Sequence, residues 1–227
     1  MNYASAYDTA NTQDRTTFIQ RTYGHLALAI GAFVGLEYWL LQQPWALKLA
    51  GSMTGHWWMV LIAFVGVSWL ANWWAHSDTA QGVQYLGLGL YVVAEAFILL
   101  PLILFAQLKA PDTLVTAGYI TGGLFAGLTA VVLLTGKDFS FLRIFLMVGG
   151  FVALGLIVTA MLFGFTLGWM FSAAMIVLCS GSILYNTSNV MRHYGVNQYV
   201  AASLALFASI ATLFYYVLRL LLAFRNN

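Results

Sequence analysis

The chain has 227 residues, of which 62% are hydrophobic and only 7% are charged, and its formal net charge is +2. Soluble domains carry roughly 25% charged residues, so this composition excludes a water-soluble domain and predicts an integral membrane protein. The chain has no basic stripe, which argues against a nucleic-acid partner. A single cysteine, Cys179, excludes an internal disulfide and a thiolate metal cage.

Seven apolar runs are each long enough to cross a bilayer, which takes about 20 residues per helix. They cover approximately residues 22–42, 57–75, 83–106, 113–135, 144–163, 167–187 and 198–224. The runs are continuously apolar, which is typical of spanning helices and not of barrel strands. We therefore expect an all-α integral membrane protein in which residues 21–227 form a seven-transmembrane helix bundle. Residues 1–20 are polar and are predicted to form a flexible cytoplasmic tail.

The breaks between the runs predict how some of the helices begin and pair. Pro111 followed by Asp112 is a start signal for the fourth span, with Asp112 as the predicted N-cap. The fifth and sixth spans are separated by only a few residues around Gly164, so we expect them to form an antiparallel hairpin.

Lysine and arginine in the short loops predict the orientation. One set of loops carries five of them: Arg15, Arg21, Lys137, Arg143 and Arg192. The opposite end carries Lys48, Lys109, Arg219 and Arg225. This bias favours a cytoplasmic N-terminus and a C-terminus on the opposite side of the membrane.

Three pairs of glycines stand four residues apart inside the predicted spans: Gly31 and Gly35, Gly118 and Gly122, and Gly123 and Gly127. Such spacing lets two helix backbones approach closely. We favour packing inside the bundle over a dimerisation face.

Polar residues are concentrated where the sixth span ends. Buried polar groups are costly in a bilayer unless they find partners, so the run marks either a polar site inside the bundle or a helix end that meets the headgroups. The polar side chains in this run are Ser180, Ser182, Asn186, Thr187, Ser188 and Asn189.

Two carboxylates fall within the predicted spans. Glu95 lies in the middle of the third span and is either a site for protons or cations or a protonated, hydrogen-bonded structural group. Glu37 lies near the outer end of the first span, where we expect it to reach the interface.

No catalytic residues, metal site or cofactor are predicted. The four histidines, His25, His56, His76 and His193, are expected at the interfaces or in loops, and no two have the i, i+4 spacing of a helical metal or haem pair. Ser180 and Ser182 are candidates for an intramembrane nucleophile by position only, because no histidine base is expected at their depth.

The seven-span pattern resembles the Bax-inhibitor-like transmembrane family, and within it the bacterial YccA branch. The resemblance rests on the run Ser180-Gly-Ser-Ile-Leu-Tyr-Asn-Thr-Ser-Asn189, on Lys137-Asp-Phe-Ser-Phe-Leu142, on Arg21-Thr-Tyr23, and on Tyr199-Val-Ala-Ala202. It covers nearly the whole chain from about residue 18.

The resemblance implies a polar site between the sixth and seventh spans. Many members of the family carry one aspartate in each span, and the pair forms a buried pH sensor linked to calcium leak. Asn186 and Ser209 stand at these two positions here, so both carboxylates are replaced by neutral groups. We expect a supporting polar cluster of Ser180, Ser182, Thr187 and Thr212, and Glu95 remains as the buried carboxylate.

The resemblance to the YccA branch also implies partners. That branch binds the FtsH-type AAA membrane protease and its HflK/HflC partners, and the N-terminal tail is the part that the protease would grip. The leading hypothesis is a non-enzymatic modulator of such a protease that acts by protein–protein interaction in the bilayer. The alternatives are a cation, proton or calcium leak channel and, with weaker support, an intramembrane enzyme.

Overall fold

The computed structural model describes residues 3–76 and 81–225, with side chains at all of them except residues 3–12 and 54. The all-α prediction is confirmed. The helices in chain order are α1 (Tyr3–Leu40), α2 (Pro44–Gly55), α3 (Trp57–Ala75), α4 (Gln81–Lys109), α5 (Pro111–Thr135), α6 (Leu142–Phe163), α7 (Trp169–Arg192) and α8 (Tyr199–Arg225).

Six helices, α3 to α8, are each long and apolar enough to cross a membrane. The first predicted span differs, because the chain bends by 98° between α1 and α2, and these two helices together qualify as one further, broken span. The described part of the chain therefore contains six or seven spans. Pro44 at the start of α2 explains the break, since proline is tolerated in the first turn of a helix but not in its interior.

The amino-terminal end of α1 includes most of the residues for which a flexible tail is expected, residues 1–20. Residues 1–2 lie outside the described chain, but α1 is a continuous helix from Tyr3 to Leu40. Phe18 is only 1% exposed, and the Arg15 guanidinium bonds to the end of α7. Packing against the bundle therefore begins before residue 20.

The predicted N-cap of α5 is wrong by two residues. Ala110 occupies the N-cap position, Pro111 is the first helical residue, and no side chain caps the helix. Proline suits this position because its missing N–H is not needed in the first turn and its φ is already helical. Asp112 lies in the first turn, where its negative charge is favourable to the helix dipole.

Helix α8 is the centre of the bundle. Helices α1, α3, α4, α5 and α7 all pack against it, and α6 lies at the periphery against α7. Small side chains on α8, among them Ala201, Ala202 and Ala211, are buried and let neighbouring helices approach. The predicted hairpin of the fifth and sixth spans is confirmed as α6 and α7, joined through Gly164 at φ +70°.

The closest approach of two helix backbones at a glycine is between α3 and α4, and not at the glycine pairs singled out in the sequence. A Cβ added at any of those six glycines would meet nothing within 4 Å, so the expectation of packing inside the bundle is wrong for them. Gly87 of α4 is the tight position. A Cβ there would lie 2.6 Å from the Ala71 carbonyl oxygen and 2.7 Å from the Ala75 nitrogen, both in the backbone of α3.

We expect Gly87→Ala to destabilise the bundle, because neither backbone atom can move without separating α3 from α4. Overpacking of this kind costs about 1–3 kcal/mol, which corresponds to a fall in Tm of roughly 3–10 °C for a chain of this size. Thermal unfolding in detergent measures the effect. The matched control is Gly122→Ala, which meets open space and should leave Tm unchanged or slightly higher. Equal Tm values for the two variants would contradict the tight contact.

Candidate polar site between α7 and α8

Asn186 and Ser209 are in direct contact. The Asn186 amide nitrogen donates to the Ser209 hydroxyl oxygen at 2.9 Å and to the Ser182 hydroxyl oxygen at 3.3 Å. The hydroxyl oxygens of Ser182 and Ser209 are 3.0 Å apart, and Ser209 donates to the Ala205 carbonyl oxygen at 3.0 Å. Each of the three side chains therefore has a hydrogen-bond partner within the cluster, and all three are electrically neutral.

Helical spacing explains why these three side chains meet. Ser182 and Asn186 are four residues apart on α7, and Ala205 and Ser209 are four apart on α8, so each pair lies on one face of its helix. The small Ala205 and Ala208 allow the two helices to pack closely at this level.

The cluster borders a cavity of about 350 Å³ between α3, α6, α7 and α8. Ser182, Asn186, Ser209 and Thr212 line it together with Asn72 of α3, which sequence reasoning missed. The Asn72 amide donates to the Ser68 carbonyl oxygen at 2.9 Å. A polar residue among the tryptophans at the end of a span is read from sequence as an interfacial residue, so nothing in the local pattern indicated this role.

Of the other predicted members of the cluster, Thr212 borders this cavity, whereas Ser180 and Thr187 do not. Thr187 lies fully buried near Tyr23 of α1 and Thr129 of α5. The hydroxyls of Thr187, Tyr23 and Thr129 are close but have no well-aligned hydrogen bond. Thr212 donates to the Ala208 carbonyl oxygen at 2.8 Å.

Glu95 lines a second cavity of about 330 Å³, which lies toward the end of the bundle that holds the α6–α7 loop. The Glu95 side chain is 3% exposed and lies close to the Tyr91 hydroxyl. Arg219 borders the same cavity but donates to the Leu167 carbonyl oxygen at 2.7 Å. Thr212 borders both cavities, so the Glu95 cavity and the cavity beside Asn186 share one lining residue.

The expectation that Glu37 reaches the interface is wrong. Its side chain is 5% exposed, and neither carboxylate oxygen has a hydrogen-bond partner. The cause is the bend after α1, because α2 folds back and packs with Leu40 and Leu100 over this end of the bundle. Sequence hydropathy predicts spans but not such a fold-back.

The carboxyl end of α7, directly after the cluster, is held by Arg15 of α1. The guanidinium donates to three backbone carbonyl oxygens: Val190 at 2.6 Å, Met191 at 3.1 Å and Tyr194 at 2.5 Å. A positive charge at the carboxyl end of a helix satisfies the free carbonyls and complements the helix dipole. Arg15 is separated from these partners by about 175 residues in sequence, so no local pattern could show the contact.

The loop between α5 and α6 also binds to the end of α7. The Ser188 hydroxyl accepts from the Phe139 N–H at 3.0 Å and donates to the Asp138 carboxylate at 3.3 Å, and Arg192 donates to the Gly136 carbonyl oxygen. Hydrogen bonds from the Ser140 hydroxyl and N–H hold the pKa of Asp138 below its usual range. The final turns of α7 are thus bonded both to α1 and to this loop.

No group of three or more histidine, cysteine, aspartate or glutamate side chains that could hold a metal is found within residues 3–76 and 81–225. No histidine lines the cavity that Ser182 borders. His56, His76 and His193 lie at helix ends, and His25 bonds through Nε2 to the Tyr85 hydroxyl at 2.9 Å.

Comparison with known proteins shows which family the chain belongs to. The model of the family described as inhibitor of apoptosis-promoting Bax1 matches residues 15–226. An uncharacterised protein of Pseudomonas aeruginosa is 30% identical over 93% of this chain and 91% of its own length. The modulator of FtsH protease YccA of Escherichia coli is 38% identical over 41% of this chain and 42% of its own length. Bax inhibitor 1 of Schizosaccharomyces pombe is 25% identical over 94% of this chain and 79% of its own length. The chain is therefore a multi-pass membrane protein that belongs to the Bax-inhibitor-like family.

Proposed function

We propose that this protein is an inner-membrane modulator of an FtsH-type protease and acts by protein–protein interaction. The observation that carries the proposal is the neutral contact of Asn186 with Ser209. This contact fills the place between two spans where an ion-sensing member would need titrating carboxylates. The likeness to the Escherichia coli modulator of FtsH protease supports the same function.

The amino-terminal segment is the proposed contact with the protease. Helix α1 continues from Arg15 back to Tyr3, which is about 18 Å of helix at 1.5 Å per residue. This segment is polar, and it precedes Arg15, the residue that bonds to the end of α7. We place it on the cytoplasmic side, with the C-terminus in the periplasm, and HflK/HflC-like proteins are proposed as further partners.

Co-purification after mild detergent extraction tests the proposal. The complete chain, expressed at native level, is expected to retain the FtsH-type protease, and a variant that lacks residues 1–14 is expected to lose it. A matched control keeps the same fourteen residues in scrambled order, which separates a sequence requirement from a length requirement. Absence of the protease from the complete chain's complex would refute the proposal.

A cation or proton leak is the second candidate function. The observation in its favour is Glu95, a buried carboxylate whose cavity shares the lining residue Thr212 with the cavity beside the Asn186 cluster. Such a row of polar groups from different helices could pass an ion or a proton through the bundle.

The leak candidate predicts that Glu95→Gln lowers ion flux in liposomes to near background, because the substitution removes the carboxylate but keeps its size and hydrogen bonding. Flux through the purified protein measures this. Glu37→Gln is the matched control, since Glu37 is a buried carboxylate that borders neither cavity, and its flux should equal that of the wild type. Background flux in all three proteins would remove this candidate.

A further inference from the structure

A third cavity, of about 400 Å³, opens at the end of the bundle that carries the α7–α8 loop. Its wall contains one arginine and two histidines, Arg143, His76 and His193, from three different helix ends. The remaining polar lining includes the amides of Asn189 and Gln198. The sequence predicted none of these residues to lie together.

Arg143 contributes a positive charge to the lining of this cavity. No carboxylate is among its lining residues, and the Arg143 guanidinium has no hydrogen bond or ion pair within the described chain. Asp138 lies close enough to act on His193, but its carboxylate is bonded to Ser140 and Ser188. Asp78 follows His76 by two residues and lies outside the described chain. An unpaired guanidinium on a cavity wall is available to bind an anion.

The amino terminus of α8 adds to the positive potential, whereas the segment just ahead of α6 already bonds the Asp138 carboxylate through the Ser140 N–H. Helix α6 begins at Leu142 and α8 at Tyr199, and Ser140 and Gln198, just ahead of them, both line the cavity. The free N–H groups and the dipole of a helix amino terminus favour bound anions. The Tyr185 hydroxyl, also in the lining, adds a neutral donor.

We propose that this cavity is a binding site for a phosphate group, carried by an anionic phospholipid headgroup or present as free phosphate. A phosphate offers several acceptor oxygens to a guanidinium, two imidazoles and amide donors that approach from different sides. The site lies at the last turns of α7 and the first of α8, where two spanning helices leave the apolar layer. Tyr194, which borders the cavity, also accepts through its carbonyl from Arg15, so bound phosphate and docked α1 share one loop.

Native mass spectrometry of the complete protein in maltoside micelles, which contain no phosphate, tests the site. Three probes are titrated: dioleoyl phosphatidylglycerol, diacylglycerol with the same acyl chains, and inorganic phosphate. The wild type is expected to bind phosphatidylglycerol or inorganic phosphate, and not diacylglycerol. Preference for the lipid identifies a headgroup site, and binding of inorganic phosphate alone identifies a site for a soluble anion.

Arg143→Gln is expected to weaken phosphate binding roughly tenfold, as the loss of one charge-assisted hydrogen bond does. Arg143→Lys is expected to bind with an affinity between those of the wild type and Arg143→Gln. Lys137→Gln is the matched control, because Lys137 is an exposed cation at the same end that does not line the cavity. His193→Gln tests the site again if Arg143→Gln does not fold, with a similar loss expected. Equal weakening by Arg143→Gln and Lys137→Gln, or no binding of either phosphate probe by the wild type, would overturn the proposal.

Discussion

Arg15→Ala is expected to release the amino-terminal turns of α1 from the bundle. The substitution removes all three bonds to the carbonyls of Val190, Met191 and Tyr194, and no other cation among the described side chains is bonded to them. A hydrogen bond to a charged group contributes about 1.5–3 kcal/mol. Because the Arg15 side chain is only half-buried, water replaces part of the lost hydrogen bonding. We therefore expect the free energy that holds this segment against α7 to fall by roughly 2–4 kcal/mol.

Hydrogen–deuterium exchange measures this release. Amides of residues 3–20 and of the α7–α8 loop are expected to exchange roughly 30- to 1000-fold faster in Arg15→Ala, the factor that corresponds to such a cost. The matched control is Arg21→Ala on the same helix, because Arg21 stacks over the Tyr199 ring at 5.6 Å and bonds none of these carbonyls. Unchanged exchange in Arg15→Ala would show that the arginine does not hold the two helices together.

The same substitution bears on the proposed function. If the protease engages the amino-terminal segment, release of this segment should increase association with the protease and shorten the half-life of the protein in the cell. Pulse-chase labelling of the wild type, Arg15→Ala and Arg21→Ala provides the comparison. A half-life that falls equally in both variants would indicate general destabilisation and would count against engagement of this segment.

The spans α3 to α8 could be predicted from sequence because their signal is local. Each is a continuous apolar run with a break on either side, and the structure begins and ends them within a few residues of the expected positions. The first segment could not be predicted in the same way. Its polar half becomes part of a long helix through Phe18 and Arg15, whose partners lie in the distant α7 and α8.

The candidate site also combines features that the sequence predicts with features that depend on helix packing. The positions of Asn186 and Ser209 follow from the family resemblance, but their contact does not, because it depends on how α7 and α8 lie side by side. The role of Asn72 and the tight packing of Gly87 against α3 depend on how helices lie side by side. The burial of Glu37 depends on the direction in which the chain turns after Leu40. Hydropathy reports which residues are in the apolar layer but not which helix each of them faces.

Carboxylates introduced at both positions, Asn186→Asp with Ser209→Asp, are expected to make the contact of α7 with α8 depend on pH and on calcium. The two side chains are within 2.9 Å in the wild type. Two carboxylates at such a distance cannot both ionise without a counter-ion, so one shared proton or a bound Ca²⁺ is needed to keep the helices together. As pH rises and the shared proton leaves, repulsion should separate the helices and lower the free energy of unfolding.

Thermal unfolding at pH 6 and pH 8, with calcium and with a chelator, measures this dependence. For the double variant without calcium we expect Tm to fall by about 5–10 °C between the two pH values, which corresponds to roughly 2–3 kcal/mol in a chain of this size, and calcium should restore most of it. The wild type should show neither response at this contact, because an amide and a hydroxyl do not titrate in this range. Asn186→Asp alone separates the effect of a single buried charge from the effect of a carboxylate pair. It introduces a charge without a second carboxylate, so calcium should not restore its Tm. A double variant whose Tm is independent of pH would mean that the contact between the two helices is looser than the 2.9 Å hydrogen bond implies, and the case for a neutral bonded junction would fall with it.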